Sequence, residues 1–166
     1  MKMKSVIIGV MGGGSAGAED LENARKLGRG IAKQGWILLN GGRNSGIMDA
    51  SAQGAFEEGG MTVGILPDDH ADRVSDYIHI PVLTGMGSAR NAINVLSAHI
   101  IVACPGGCGT VSEIALALKS RRPVILFRFD AGNIFDSYAQ QGLLFREESV
   151  DAVLKRIRKT VLQNGE

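Results

Sequence analysis

Two charged residues, Arg90 and Glu113, flank the part of this 166-residue chain whose residue types and spacing best suit chemistry. Between them lie an apolar run over residues 99–104 and the sequence Pro-Gly-Gly-Cys-Gly-Thr over residues 105–110. This order predicts a buried strand, a glycine turn and a helix that begins at Thr110. Backbone amides in such a turn and at a helix N-terminus lack partners and favour an anion. The sequence therefore predicts an anion site with an arginine and a carboxylate near it.

Glu113 also has a structural explanation. Thr110 and Glu113 form the T-x-x-E pattern of a capping box, in which each side chain satisfies a free backbone amide. Such a cap stabilises a helix by about 1 kcal/mol, and an acidic residue near a helix N-terminus is also electrostatically favoured. The motif alone thus favours a structural Glu113, with a catalytic Glu113 as the alternative.

Arg90 has no comparable structural explanation. If Ser88 caps the helix that follows Gly87, Arg90 falls in its first turn, where the helix dipole disfavours a cation by up to about 1 kcal/mol. An arginine that binds a phosphate or carboxylate justifies that cost. An ordinary surface arginine is the alternative.

Two further glycine turns follow predicted strands. Residues 12–17 satisfy the G-x-G-x-x-G spacing of dinucleotide-binding loops, but the next strand ends in Asn40 rather than in an acidic residue. We therefore expect a phosphate or ribose contact there rather than an oxidoreductase. Residues 41–46 lack the Gly-Lys-Ser/Thr of a Walker loop. They form either an anion-binding turn to which Arg43 adds charge or a tight turn with Ser45 as N-cap.

Cys108 lies in the third glycine turn, before a predicted helix that would stabilise a thiolate. No histidine accompanies it in the sequence to act as a base. We therefore expect Cys108 to serve as a small apolar side chain of the turn.

The elements that must position these turns alternate regularly along the chain. Continuous apolar runs predict strands that begin near residues 5, 36, 62, 99 and 123. Pro81 interrupts the short strand over residues 77–83, which we therefore expect to be an edge strand or an irregular one. Segments whose apolar residues have helical spacing lie between the strands, and another such segment covers residues 150–161. Residues 128–148 show no clear pattern. The pattern predicts an α/β fold: one domain over residues 1–166 with a Rossmann-like, doubly wound parallel sheet in three αβα layers.

Composition excludes several functional classes. The formal net charge is +1, and lysines and arginines do not cluster with aromatic residues, so a nucleic-acid binder is not expected. The first apolar run is too short for a signal peptide or a membrane span, which predicts a cytoplasmic protein. Two cysteines and three scattered histidines give no ligand set, so we expect no protein-ligated metal.

The Pro-Gly-Gly-x-Gly-Thr-x-x-Glu motif ending at Glu113, the Ser88-Ala-Arg90 segment and the Gly41-Gly42 turn resemble those of the LOG ("Lonely Guy") phosphoribohydrolases over about residues 5–127. The resemblance implies a Rossmann-like fold, dimers or higher assemblies, and hydrolysis of the N-glycosidic bond of nucleoside 5′-monophosphates. It also implies that Glu113 is the catalytic carboxylate, that Arg90 is its essential partner and that the glycine turns bind the phosphate.

Residues 84–97 are more similar to the molybdenum cofactor carrier branch of this superfamily, as are the Gly-Gly-Arg43 turn and the strand end at Pro67. LOG enzymes have a Met-His-Glu-Arg-Lys type of sequence where this chain reads Met-Gly-Ser-Ala-Arg-Asn. This second resemblance implies a tetrameric binding protein that holds a pterin phosphate near the same turns.

We therefore expect a cytoplasmic binding protein for a phosphorylated ligand, with molybdenum cofactor storage or transfer as the first hypothesis and phosphoribohydrolase activity as the second. A ligand sensor or structural oligomer without turnover is a third possibility. The expected partners are the ligand, further copies of the chain, and molybdoenzymes or cofactor-synthesis proteins, with no nucleic acid or membrane. The candidate binding residues are Gly12, Gly13, Gly14, Ser15, Gly41, Gly42, Arg43, Asn44, Ser45, Gly46, Ser88, Arg90, Pro105, Gly106, Gly107, Cys108, Gly109 and Thr110.

Overall fold

The structure is a computed structural model that describes residues 5–163. Strands and helices alternate through most of the chain. In chain order they are β1 (Ile7–Met11), α1 (Ala18–Lys33), β2 (Ile37–Asn40), α2 (Gly46–Glu57), β3 (Thr62–Leu66), β4 (Ile80–Leu83), a 3₁₀ turn (Gly87–Ala89), α3 (Arg90–Ser97), β5 (Ile100–Ala103), α4 (Cys108–Lys119), β6 (Val124–Phe127), α5 (Asp136–Gln140), β7 (Leu144–Glu147) and α6 (Val150–Gln163).

The strands form one parallel sheet of seven strands in the order β4-β3-β2-β1-β5-β6-β7. The chain adds strands outward from β1 as far as β4, then returns to the other side of β1 with β5. The switch point of the topology therefore lies between β1 and β5, where ligands bind in sheets of this kind. The predicted fold class is confirmed, and β4 is the edge strand predicted from Pro81.

Two apolar cores lie on the two faces of the sheet. One contains side chains of α1, α2 and α6, such as Leu27, Ile47 and Ile157. The other contains side chains of α3, α4 and α5 or its flanks, such as Val95 and Ile114. These cores make the three layers that the sequence predicts.

Helix α4 begins earlier than the sequence predicts. Its N-cap is Gly107 and its first residue is Cys108, so Thr110 lies inside the first turn and no side chain caps the helix. Thr110 is buried and occupies the space that a Cβ at Gly106 would need. The predicted capping box of Thr110 and Glu113 is therefore wrong, which removes the structural explanation for Glu113.

The predicted N-caps of the other two site helices also differ in detail. Ser88 lies in the 3₁₀ turn, and the N-cap of α3 is Ala89. Arg90 is nevertheless in the first turn of α3, as expected. Ser45 stands at the N-cap of α2, but its side chain makes no capping hydrogen bond.

The segment without a clear pattern, residues 128–148, contains α5 and the edge strand β7. Across residues 5–163, no helix is both long and apolar enough to cross a membrane.

Candidate functional site

The three glycine turns meet at the carboxyl end of β1. The Gly13 amide donates to the Pro105 carbonyl oxygen at 3.0 Å, and the Gly13 carbonyl accepts from the Ile47 amide at 2.9 Å. Gly46 has a φ of +58°, and a Cβ there would overlap the Gly13 carbonyl oxygen. Only glycine combines this backbone conformation with so close an approach. The turns therefore converge at the switch point, as the parallel sheet predicts.

A cleft with a volume of about 190 Å³ opens at this place. Nine candidate residues line it, namely Gly12, Gly13, Gly14, Gly41, Arg90, Gly107, Gly109, Thr110 and Glu113. Four lining residues were not predicted, namely Val10, Met11, Met48 and Asn91. The remaining candidates do not line the cleft: Ser15, Gly42, Arg43, Asn44, Ser45, Gly46, Ser88, Pro105, Gly106 and Cys108.

The N-terminus of α4 brings unpaired backbone amides to the cleft. Gly107 has no side chain with which to cap the helix, and the first backbone bond of the helix runs from Val111 to the Gly107 carbonyl, at 3.1 Å. The backbone amides of Cys108, Gly109 and Thr110 therefore have no hydrogen-bond acceptor within the helix. The first turn of α4 also contains no acidic residue, so the positive end of its dipole is not neutralised within the helix. An arrangement of this kind favours an anion.

Arg90, at the start of α3, lines the cleft and contacts the ends of two strands. Its Nη1 donates to the Gly41 carbonyl oxygen at 2.6 Å and to the Ile65 carbonyl oxygen. A Cβ at Gly41 would lie 2.5 Å from Nη1, so glycine is required for this contact. Burial lowers the pKa of Arg90 and the nearby Glu113 opposes that shift. Arg90 thus joins the ends of β2 and β3 through one nitrogen, and its other nitrogens donate to no acceptor among the described residues.

Glu113 is a buried carboxylate, 7% exposed, in the second turn of α4. Its Oε1 accepts a hydrogen bond from Asn94 Nδ2 at 2.7 Å. Burial raises the pKa of Glu113 to about 6, although Asn94 and Arg90 both act to lower it. Within residues 5–163, no direct ion pair joins Glu113 to an arginine or lysine. The cleft therefore contains a carboxylate and a guanidinium that do not neutralise each other by contact.

Arg43 lies outside the lining of the cleft. Its Nη2 forms an ion pair with Asp68 at 2.9 Å, and its backbone pairs with Val74 in an isolated antiparallel bridge. The ion pair ties Arg43 to the loop that follows β3, although the charge of Arg43 still acts on Arg90 and helps to lower the Arg90 pKa.

Two asparagines of α3 were missed by the sequence reasoning. Asn91 lines the cleft and donates to Ser112 Oγ at 2.8 Å, and Asn94 is fully buried beside Glu113. Asparagine is a poor helix former. Two asparagines three residues apart in a predicted helix, directly after Arg90, therefore indicate a role other than helix formation, and this signal is present in the sequence.

Among the described residues, no three histidine, cysteine, aspartate or glutamate side chains cluster so that they could hold a metal ion.

Comparisons with known proteins find one matching family model and several similar solved structures. The model described as the SLOG cluster4 family matches residues 5–154. The molybdenum cofactor binding protein of the phototrophic bacterium Rippkaea orientalis is 43% identical with a TM-score of 0.90, over 96% of this chain and 99% of that one. The molybdenum cofactor carrier protein of Chlamydomonas reinhardtii is 38% identical with a TM-score of 0.87, over the same shares.

A more distant relative is an enzyme. The cytokinin riboside 5′-monophosphate phosphoribohydrolase of Mycobacterium tuberculosis is 34% identical over 102 residues, which are 58% of this chain and 53% of the enzyme. The chain thus spans about half the length of this relative. The resemblance to the carrier branch of the LOG superfamily, drawn above from the motifs, is confirmed.

Proposed function

The chain belongs to the SLOG cluster4 family, and we propose that its cleft binds the molybdenum cofactor through the cofactor's phosphate, for storage or transfer. One observation carries the proposal: the uncapped N-terminus of α4, at Gly107, opens into a cleft at the switch point of the sheet. A phosphate oxygen is the acceptor that those amides lack. The Arg90 fork supplies the opposite charge.

The size of the cleft fits the end of a ligand rather than a whole one. Its volume of about 190 Å³ is below the roughly 300–1,000 Å³ that enclose a drug-sized ligand. The phosphate end of the cofactor would therefore be bound inside, with the pterin and its metal toward the open mouth. Such a site suits release to another protein.

The relatives support this ligand over a nucleotide. The two cofactor-binding relatives match nearly the whole of both chains at 38–43% identity, whereas the phosphoribohydrolase matches over about half. We further propose a cytoplasmic homo-oligomer, dimer or tetramer, that exchanges the cofactor with molybdoenzymes or cofactor-synthesis proteins. Light scattering coupled to size exclusion measures the oligomer.

Cofactor retention tests the proposal. Purified protein is incubated without oxygen with cofactor released from a denatured molybdoenzyme, passed over a desalting column, and assayed for molybdenum and for oxidised pterin. We expect retention and slower decay of the cofactor's ability to activate a cofactor-free molybdoenzyme. Retention no better than that of serum albumin contradicts the proposal.

A second candidate is phosphoribohydrolase activity, which the joint presence of Arg90 and Glu113 in one cleft favours. A carboxylate with a pKa of about 6 is ionised at neutral pH. It can stabilise a cationic ribosyl transition state or orient water, while Arg90 positions the phosphate. Incubation with AMP and cytokinin nucleotides tests this candidate by chromatography of the free base. Absence of free base, or equal release by Glu113→Gln, removes it.

A further inference from the structure

We propose that Asn94 is the positioning residue of Glu113: its amide fixes Oε1, aims Oε2 into the cleft, and offers a hydrogen-bond partner to either protonation state. The inference rests on the proposed function insofar as the cleft is the binding site. It extends that function because Asn94 itself does not line the cleft.

The geometry separates the two carboxylate oxygens. Oε1 is bound by Asn94 Nδ2 at 2.7 Å, in a pair whose members are 0% and 7% exposed. Within residues 5–163, Oε2 receives no hydrogen bond, although Glu113 is part of the cleft wall. One oxygen is therefore held by the protein, and the other is left to accept from a ligand N–H or O–H.

The carbonyl of the same amide has no partner. Asn94 Oδ1 is buried and accepts no hydrogen bond from the described residues. Buried acceptors without partners are rare and need an explanation. An asparagine amide can exchange its oxygen and nitrogen by rotating 180° about its last torsion. After that rotation Oδ1 faces Glu113 and accepts from the neutral acid, which is a donor.

The environment makes both protonation states accessible near neutral pH. Burial raises the pKa of Glu113 to about 6, while Asn94 and Arg90 act to lower it. Arg90 is the charged group of the described residues that acts on Glu113. Above the midpoint of the Glu113 titration, Asn94 Nδ2 donates to the ionised carboxylate. Below the midpoint, the rotated Asn94 amide accepts from the neutral acid.

A ligand distinguishes the two states. The ionised form presents Oε2 as an acceptor, and Glu113 follows Thr110 by three residues, about 5 Å along the axis of α4. The ligand class that the cleft selects is therefore a phosphate ester with an N–H or O–H donor close to the phosphate. Inorganic phosphate lacks that second group and is a probe for the anion site alone.

NMR titration tests the role of Asn94 directly. We expect the Glu113 δ-carbon of the wild-type protein to titrate near pH 6, and the Asn94 side-chain amide signals to shift with the same midpoint. In Asn94→Leu both hydrogen bonds are lost, and we expect the Glu113 midpoint to rise by about one pH unit, because the bond to the charged carboxylate is the stronger of the two. In Thr160→Val, which removes a partly buried hydrogen bond within α6, a helix that does not line the cleft, the midpoint stays near its wild-type value.

An unchanged midpoint in Asn94→Leu, or Asn94 amide signals that do not respond between pH 5 and 7.5, overturns the inference. The second observation uses the wild-type protein, so it decides even if the variant does not fold.

Calorimetry with two probes separates this inference from the proposed function. At pH 7.5 we expect ribose 5-phosphate to bind more tightly than inorganic phosphate, and Asn94→Leu to reduce that advantage about tenfold with phosphate affinity unchanged. An advantage that survives in Asn94→Leu overturns the role of Asn94. Failure of both probes to bind the wild-type protein contradicts the proposed anion site, and the NMR titration then decides on Asn94 alone.

Discussion

Two clusters of glutamate and arginine in this molecule use the same chemistry in opposite ways. On the outer surface of α1 and α2, Glu57 accepts from Arg25 at 2.5 Å and from Arg29 at 2.7 Å. These contacts lower the pKa of Glu57 to about 2. In the cleft, Glu113 contacts an asparagine and Arg90 contacts two backbone carbonyls. The surface cluster is satisfied within the chain, whereas the cleft cluster is not.

The difference shows which charges are available to a ligand. Paired surface charges stabilise a fold weakly and leave nothing to bind. A buried carboxylate and a partly buried guanidinium kept apart both lose hydration, so a ligand that pairs with them gains interactions that the cleft residues do not make with each other. Four changes can break or sharpen this comparison.

The largest effect is expected from Arg90→Met. The loss of a charge-assisted, forked contact to phosphate should weaken binding of the cofactor, or of ribose 5-phosphate, about 100-fold. Arg25→Met removes an arginine of the surface cluster and is the matched control, with unchanged affinity expected. Calorimetry measures both variants. Equal affinities of Arg90→Met and wild type contradict the assignment of Arg90 to the ligand.

The next effect concerns stability. Neutralising Glu113 and neutralising Glu57 should change the free energy of unfolding in opposite directions. Glu113 has a folded-state pKa raised from 4.5 to about 6, so its ionised form destabilises the fold above that pH by about 2 kcal/mol. Glu113→Gln keeps the Asn94 hydrogen bond and should raise the free energy of unfolding by about 1–2 kcal/mol at pH 7.5. Near pH 4.5 and below, this gain should disappear. Urea titrations at the two pH values check the result, and a loss of stability at pH 7.5 contradicts it.

A tenfold effect is expected from changing the cap of α4. Gly107→Asn supplies the side-chain oxygen that the helix lacks, and it should weaken phosphate binding about tenfold while slightly raising the melting temperature. Gly17 is the N-cap of α1, also without a capping side chain, and that helix already has Glu19 and Asp20 in its first turn. Gly17→Asn is therefore the matched control and should leave binding unchanged. Equal binding by the two variants removes the α4 amides from the site.

The smallest effect is expected from Glu57→Gln. Its pKa is lowered to about 2, so Glu57 stabilises the fold above its unfolded-state pKa, and that contribution is lost as the pH falls toward 2. The variant should be slightly less stable than wild type at pH 7.5, the opposite sign to Glu113→Gln, and should bind ligand normally. High salt should shrink the difference because the pair is exposed. A stabilising Glu57→Gln would remove the contrast between the clusters.

Much of the fold follows from sequence because the signals are local and strong. Apolar runs such as residues 5–11 and 99–104 predict buried parallel strands, and a parallel sheet brings the turns after them to one edge. Strand β7 was missed because its sequence, Leu-Phe-Arg-Glu, is half polar and lies at the sheet edge.

The site was harder to predict in its details. The T-x-x-E pattern at Thr110 suits a cap, but the helix begins at Cys108, since Gly107 can adopt the N-cap position without supplying a side chain. Arg43 is the second example, because its partner Asp68 comes from a loop 25 residues away that no local pattern connects to it. Long-range pairing of this kind decides which charges remain free.

Cofactor retention by wild-type protein and Arg90→Met, measured side by side, tests the central claim that the unpaired charges of the cleft hold a phosphorylated ligand. Each protein is loaded with released molybdenum cofactor, desalted and analysed for molybdenum and pterin per chain. We expect close to one cofactor per chain for the wild type and near background for Arg90→Met. Equal content in the two proteins, or background in both, contradicts the claim.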